Sequence, residues 1–284
     1  MSRIVFVNGS FVPYEEARIP IMDRGFLFAD GIYEVSAVIG GKLIDNEAHL
    51  ARLERSLGEI RIENPYTTAE WIKLEQELVK RNGVEEGLVY MQVTRGVAER
   101  EFAFPKDVRP TVVMFTQEKN MRGAPAAETG AAVITVEDLR WKRRDIKSVA
   151  LLAQVLAKQA AAEAGVAEAW MVEDGNVTEG GSSTSFIITK DGTIVTRQLS
   201  TALLPGITRK TVIRLAEEAQ LRVEERAFSI AEALDAQEAF LTSATSLVMP
   251  VVQIDGKPVG SGKVGPMVKR LRELYLDMAG ATPA

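Results

Sequence analysis

The chain has 284 residues, enough for one large or two modest domains, and its 46% hydrophobic and 26% charged content is that of a folded globular protein. A net charge of −5 argues against a general nucleic-acid binder; no basic segment followed by an apolar run opens the chain, and no apolar stretch approaches the length of a membrane span, so the cytoplasm is the expected location. There is no cysteine and one histidine, His49, which excludes disulfides, thiol nucleophiles, thiolate zinc sites and any chemistry needing two histidines; no metal site is expected.

Residues 5–7, Asn8-Gly9 and Phe11-Val12 carry the pattern of a hairpin with a two-residue turn. Asp23-Arg24-Gly25 through Asp30-Gly31 reads as a polar and aromatic loop. Residues 32–39 and 42–44 form a second hairpin around Gly40-Gly41, with Tyr33, Val35 and Ala37 on one face. Asn46 opens a helix to about residue 60, buried along Leu50, Leu53, Leu57 and Ile60, with His49 and Arg52 together on one flank of that stripe. A capping box, Thr67 with Glu70, starts a second helix that stops at Asn82-Gly83. Strands 88–94 and 111–116 follow, joined by a charged loop carrying Arg95, Arg100 and Phe102. Residues 119–130 hold Gly, Pro and Ala without periodicity, which sets a small α/β domain at 1–120, a linker at 121–130 and a large domain at 131–284.

In the second half, a strand at 131–136 leads into Trp141-Lys142-Arg143-Arg144-Asp145-Ile146-Lys147-Ser148. Ser148 is the expected N-cap of a helix over 149–164, stopped by Gly165. Lys147 then stands beside the positive end of a helix, a poor place for a structural ammonium and a suitable one for a lysine used as a neutral amine. The dipole amounts to only about 0.3–1 kcal/mol, so something else must activate it. After strand 169–173, Val177-Thr178-Glu179-Gly180 runs into Gly181-Ser182-Ser183-Thr184, a small, polar loop that lets a ligand ring approach the backbone or else is a plain surface loop. Strands 186–189 and 193–196 flank Asp191-Gly192. Gly206-Ile207-Thr208 enters a helix reaching about residue 219, and Ser243-Ala244-Thr245 follows strand 239–242. Both stretches read as anion-binding turns or as ordinary ones, with Arg52 available as countercharge. Ser229 with Glu232 caps a short helix, Asp255-Gly256 turns a last hairpin and Pro266 begins a C-terminal helix. Gly260-Ser261-Gly262-Lys263-Val264-Gly265 matches a dinucleotide fingerprint, but too little chain follows for a βαβ unit. The basic run 142–144 is too short and isolated to mark a nucleic-acid patch.

Together these stretches resemble the fold-type IV pyridoxal-phosphate enzymes, the class-IV aminotransferases, and most closely the D-amino acid aminotransferases. The matching residues are Asp23-Arg24-Gly25, Asp30-Gly31-Ile32-Tyr33-Glu34, Asn46 to Leu53, Gln92 to Gly96, Asp145 to Ser148, Val177 to Gly180, Gly206 to Arg209 and Thr242 to Ser246, in the family's order. The resemblance implies a two-domain α/β (α+β) fold, a small α/β sandwich plus a larger barrel-like domain holding the catalytic lysine. It also implies the cofactor pyridoxal 5'-phosphate and a homodimer in which loops of one subunit close the other's site. Lys147 is then the Schiff-base lysine and proton shuttle, and Glu179 the partner of the pyridine nitrogen. Arg52, Ile207, Thr208, Ser243 and Ala244 form the phosphate cup, and Tyr33 with Arg100 holds the substrate carboxylate, with His49 near that side.

Two positions depart from the family. Phe102 replaces a histidine common two residues after the clamp arginine, which makes the pocket more apolar and extends the expected donors to (R)-amines without a carboxylate. Thr184 stands where asparagine is usual after the serine run. The implied reaction is ping-pong transfer of an amino group from a D-amino acid such as D-alanine to a 2-oxo acid such as 2-oxoglutarate. A branched-chain L-amino acid aminotransferase or an aminodeoxychorismate lyase of the same fold is the alternative, against which Arg100 with Tyr33 argues. A non-enzymatic basic-patch binding protein is the remote one.

Overall fold

Asn8 and Gly9 both take positive φ, 47° and 92°, and turn β1 (Ile4–Val7) back onto β2 (Ser10–Pro13), as the two-residue loop requires. The structure, a computed structural model, describes residues 2–280. The chain divides into two units: the part up to Asn120 together with Ile146–Ala150, and Met121–Asp145 together with the chain from Leu151 onward.

In the first unit α1 (Arg24–Phe28) precedes β3 (Gly31–Ile39) and β4 (Lys42–Leu43); α2 (Asn46–Glu59) and α3 (Thr68–Asn82) then lead to β5 (Glu86–Thr94) and β6 (Thr111–Glu118). The strands form one sheet in the order β2-β1-β6-β5-β3-β4. Alternation along β3 puts Ile32, Glu34, Ser36 and Val38 on the buried face. Leu50, Leu53 and Leu57 of α2 and Trp71, Leu78 and Val79 of α3 join Ile32 and Val38 in one core. The capping box of α3 forms in both directions, Thr67 Oγ1 accepting from the Glu70 N–H and Glu70 from the Thr67 N–H. Such a cap is worth about 0.5–2 kcal/mol. Gly83 closes the helix at φ 61°, a conformation that costs a glycine little. Where a loop was expected at 23–31, Asp23 caps the single helical turn α1 by accepting from the Gly25 N–H at 2.8 Å.

The second unit runs α4 (Pro125–Thr129), β7 (Ala131–Glu137), α5 (Leu152–Glu163), β8 (Glu168–Glu173), β9 (Asn176–Gly180), β10 (Thr184–Ile188), β11 (Ile194–Thr196), α6 (Ile207–Glu218), β12 (Val223–Glu225), α7 (Ile230–Asp235), β13 (Glu238–Ser243), β14 (Leu247–Ile254), β15 (Lys257–Pro258) and α8 (Pro266–Met278). Its sheet follows the order β12-β11-β10-β13-β14-β7-β8-β9, with β15 on β14. Residues 181–183 turn the last strand of that path, β9, straight back into β10, the third, so the sheet curls on itself as the barrel-like expectation required. Trp170, Ile187, Val195, Phe228, Leu241 and Val251 fill its core. Within the stretch expected to be a bare linker, Pro125 starts α4 from the N1 position, where its missing N–H costs nothing. No helix of the described residues is long and apolar enough to cross a membrane.

One local reading is overturned. Ser148 is not a helix N-cap: α5 begins at Leu152, and Ser148 instead forms an isolated antiparallel bridge with Ile32. The flanking backbone is taken up by β3, the Tyr33 N–H donating to the Lys147 carbonyl at 2.9 Å and the Val149 N–H to the Gly31 carbonyl at 3.0 Å. Lys147 therefore groups with the first unit rather than with the larger one, and α5 starts only at Leu152.

Candidate active site

Lys147 is half-buried, its Nζ 4.1 Å from the centroid of the Tyr33 ring, which stacks on Tyr90 at 5.6 Å. The backbone bond between Tyr33 and Lys147 ties the Lys147 segment to β3. The next residue of β3 is Glu34, fully buried on the opposite face. Arg52, two turns along α2, grips it with Nε at 2.6 Å and Nη2 at 2.8 Å, and His49 Nδ1 lies 2.9 Å from Oε2. Burial pushes the Glu34 carboxyl up, but the charge and hydrogen bonds of Arg52 override it and hold the group well below the usual carboxylate range. Burial, helped by Arg52 and Lys147, lowers the His49 pKa although Glu34 works against it, so the imidazole is neutral at pH 7. A carboxylate can only accept, so Nδ1 carries the proton and Nε2 the lone pair. Behind this cluster Ser36 Oγ donates to Asn46 Oδ1 at 2.9 Å, and Asn46 Nδ2 to Glu75 Oε2 at 2.7 Å. Burial pushes Glu75 up to about 8.

A second buried carboxylate organises the other unit. Glu179, near the end of β9, accepts from Arg140 Nη1 and from the Leu204 N–H at 3.1 Å. Arg140 is held in a fork by Asp138, Nε at 2.9 Å and Nη2 at 2.7 Å, and Thr178 Oγ1 donates to Asp138 at 2.6 Å. Burial pushes the Glu179 pKa up, and the opposing pull of Arg140 and Leu204 does not cancel it. The basic run 142–144 is locally paired: Arg144 forks onto Glu173 at 2.8 Å from both Nη atoms, and Arg143 reaches Asp145 at 3.0 Å. The loop after Glu179 is short and pinned, because Glu168 accepts from Ser182 Oγ at 3.0 Å, Ser183 Oγ at 3.1 Å and Lys158 Nζ at 3.2 Å.

Two turns in the same unit present backbone donors. Gly206 is the N-cap of α6 and supplies no side-chain cap, leaving the first-turn N–H groups of Ile207 and Thr208 without intrahelical acceptors. A Cβ at Gly206 would stand 2.8 Å from Thr184 Oγ1, so only glycine lets the Thr184 hydroxyl sit this close to the helix start. In the turn after β13, Ser243 Oγ accepts from the Ser246 N–H at 3.0 Å and Leu247 takes φ 56°. The Oγ1 of Thr242, buried just before this turn, has no hydrogen-bond partner among the described residues.

Arg100 is exposed, its guanidinium 5.2 Å from the Phe28 ring and 5.7 Å from the Phe102 ring. Among the described residues it makes no ring or hydrogen-bond contact with Tyr33 of its own chain. Phe102 is 80% exposed, and Phe26 and Ile21 are each 77% exposed. Sequence reasoning assigned no role to Glu34, Glu75, Asp138 or Arg140. Glu34 did carry a signal, an acid on the apolar face of a strand, which demands a buried partner. Arg140 carried none, because its partners lie two and 39 positions away in no motif spacing.

Residues 31–254 match the family model for amino-transferase class IV. Over 270 residues the chain is 41% identical to a D-alanine aminotransferase of Staphylococcus aureus (strain MSSA476), covering 95% of each. Over 268 residues it is 40% identical to a D-alanine aminotransferase of Bacillus licheniformis, covering 94% of each. Among solved structures it is similar to the T.th. branched-chain amino acid aminotransferase with pyridoxamine 5'-phosphate, with a TM-score of 0.92 at 27% identity over 100% of this chain and 96% of that one. The Escherichia coli branched-chain enzyme, at 22% identity, gives a TM-score of 0.91 over 100% and 97%, a likeness of fold alone.

Proposed function

The chain belongs to the amino-transferase class IV family, and on that premise we propose that it moves the amino group of a D-amino acid such as D-alanine to a 2-oxo acid such as 2-oxoglutarate, with pyridoxal 5'-phosphate as cofactor. The observation that carries the D-amino acid assignment is the 41% identity to a D-alanine aminotransferase over 95% of both chains, against 27% to the T.th. branched-chain enzyme.

The residues present fit the cofactor. A phosphate needs N–H and hydroxyl donors, and the first turn of α6 offers uncapped N–H groups beside a glycine, while the orphaned Thr242 hydroxyl adjoins the Ser243–Ser246 turn. A pyridine nitrogen needs a buried carboxylate that is not locked into full ion pairing, and Glu179 is one. When bound, pyridoxal phosphate supplies an aldehyde to carry the amino group and a ring that takes up electron density as the Cα–H bond breaks. Ile207, Thr208, Ser243 and Ala244 hold the phosphate, and Arg52 adds charge from a guanidinium already committed to Glu34 along its Nε and Nη2. Glu179 would pair with the ring nitrogen, and a proton that burial favours on its carboxyl would pass to that nitrogen. Lys147, with its Nζ over the Tyr33 ring, would be the amine that holds the cofactor and moves the substrate's Cα proton.

Tyr33 and Arg100 receive the substrate carboxylate, with Phe102 lining the pocket; His49, expected near that side, is buried on Glu34 at the opposite face of β3. Arg100 stacks away from Tyr33 in its own chain, and exposed Ile21, Phe26 and Phe102 give the first unit an apolar surface. Both support a homodimer in which Arg100 serves the partner's site. The apolar Phe102 extends the donors to (R)-amines. Purified holoenzyme supplied with D-alanine and 2-oxoglutarate is expected to release pyruvate. L-leucine in place of D-alanine is expected to give no turnover, and the reverse preference would replace this reading with the branched-chain one. No reaction with (R)-1-phenylethylamine would remove the amine extension alone.

A further inference from the structure

Six arginines are buried among the described residues: Arg24, Arg52, Arg95, Arg144, Arg209 and Arg272. Five of them meet a carboxylate, Arg24 and Arg95 on Asp30, Arg52 on Glu34, Arg144 on Glu173 and Arg209 on Glu225. Arg272, 7% exposed on α8, is the exception. Its Nη1 donates to the Val248 carbonyl at 2.8 Å and, at 3.5 Å, to that of Ser246; its Nη2 donates to the carbonyls of Met121 at 2.9 Å and Arg122 at 3.0 Å. No carboxylate lies within ion-pair distance among the described residues, and the only acid acting on it is Glu128, an exposed residue of α4. Burial pulls its pKa down, the mark of a charge surrounded by dipoles without an anion. Keeping a full charge in such a place is costly, and replacing it by an apolar side chain of like volume is commonly tolerated. An anion elsewhere in the working protein would account for it.

The carbonyls that Arg272 holds at Ser246 and Val248 belong to the segment that leaves the Ser243-Ala244 turn, the turn whose hydroxyl closes on the Ser246 N–H. We propose that Arg272 is a positioning residue for the cofactor phosphate: the carbonyls of Ser246 and Val248 hold its guanidinium against the segment that leaves the turn, and its uncompensated positive charge favours a phosphate dianion there. Arg272 touches neither substrate nor cofactor and acts through the turn. The inference rests on the pyridoxal phosphate reading above and adds a residue to it.

The test compares two ligands that differ only in the phosphate. Apo-enzyme is titrated with pyridoxal phosphate and with pyridoxal, in the wild type, Arg272→Met and Arg272→Lys. Loss of a positive charge that attracts a dianion predicts that Arg272→Met weakens pyridoxal phosphate by about tenfold or more and leaves pyridoxal unchanged. Arg272→Lys keeps the charge and is expected to stay close to wild type for both ligands. Equal weakening of both ligands by Arg272→Met would overturn the proposal and reduce the arginine to a brace. Should Arg272→Met not fold, Arg272→Lys decides alone: a pyridoxal phosphate loss as large as about tenfold overturns the proposal, because the charge is still there. Wild-type protein that takes up neither ligand would sink the cofactor reading instead, a result separate from any difference among the variants.

Discussion

Glu34 and Glu179 are both buried carboxylates facing an arginine, yet their environments push them in opposite directions. At Glu34 the guanidinium of Arg52 meets both oxygens, His49 adds a third donor, and the carboxyl is held below its ordinary range. At Glu179 the guanidinium is shared: Arg140 spends Nε and Nη2 on Asp138 and gives Glu179 only Nη1, so burial prevails and the carboxyl is pushed up. Arginine near a buried acid does not by itself set the acid's charge; the number of donors left for it does. Glu34 is a permanent anion that fixes α2 against β3. Glu179 is an adaptable one, suited to a partner that brings its own N–H.

Removing Lys147 tests the chemistry both acids serve. Lys147→Ala is expected to lower amino transfer by about 10²–10⁴-fold or more in steady-state assays, the scale of a lost acid–base group. Glu34→Leu takes the buried carboxylate away from the Arg52 guanidinium and is expected to cost about 3–5 kcal/mol in urea unfolding. A loss as small as that of a surface change would mean that Arg52 finds another anion. The Glu34 contribution also has a pH sign. Its folded pKa is depressed, so the stability is present above the unfolded carboxylate range and is lost as pH falls through the folded value. Glu179→Gln inverts the pattern: turnover falls by about 10²-fold while unfolding stability is kept, because the amide gives up a charge that burial already disfavours. A pH effect of the opposite sign belongs to Glu75, whose carboxyl is raised from 4.5 to about 8, with burial as the main cause. The folded protein binds the proton more tightly than the unfolded chain between those values, so wild-type stability declines across that window. Glu75→Gln should therefore gain on wild type by up to about 1.4 kcal/mol per pH unit across that window and by nothing further above it, as read from melting curves at several pH values.

The elements most legible in the sequence were those whose signals are local. Asn8-Gly9, the Thr67 and Ser229 caps, Gly83 and Pro266 each act through the backbone of a few neighbouring residues, and each marks the turn or helix end it was read to mark. Ser148 failed for the opposite reason. Its local pattern suits an N-cap, but residues 146–149 donate to and accept from a strand more than 100 positions away, and that pairing postpones the helix to Leu152. The candidate site divides in the same way. Lys147, Glu179 and the donor turns stood out by residue type and family pattern. The partners that set their electrostatics, Glu34 for Arg52 and Asp138 with Arg140 for Glu179, are fixed by tertiary packing that no spacing rule encodes. Arg272 belongs to that second class, since its four carbonyl partners come from segments 24 to 151 positions away.

The most direct measurement of the contrast between the two acids is the ¹⁵N chemical shift of the ring nitrogen in enzyme reconstituted with labelled pyridoxal phosphate. The account predicts a protonated ring nitrogen in the wild type at neutral pH, still protonated in Glu34→Gln and unprotonated in Glu179→Gln. A ring nitrogen that stays protonated in Glu179→Gln, or is unprotonated in the wild type, would contradict it.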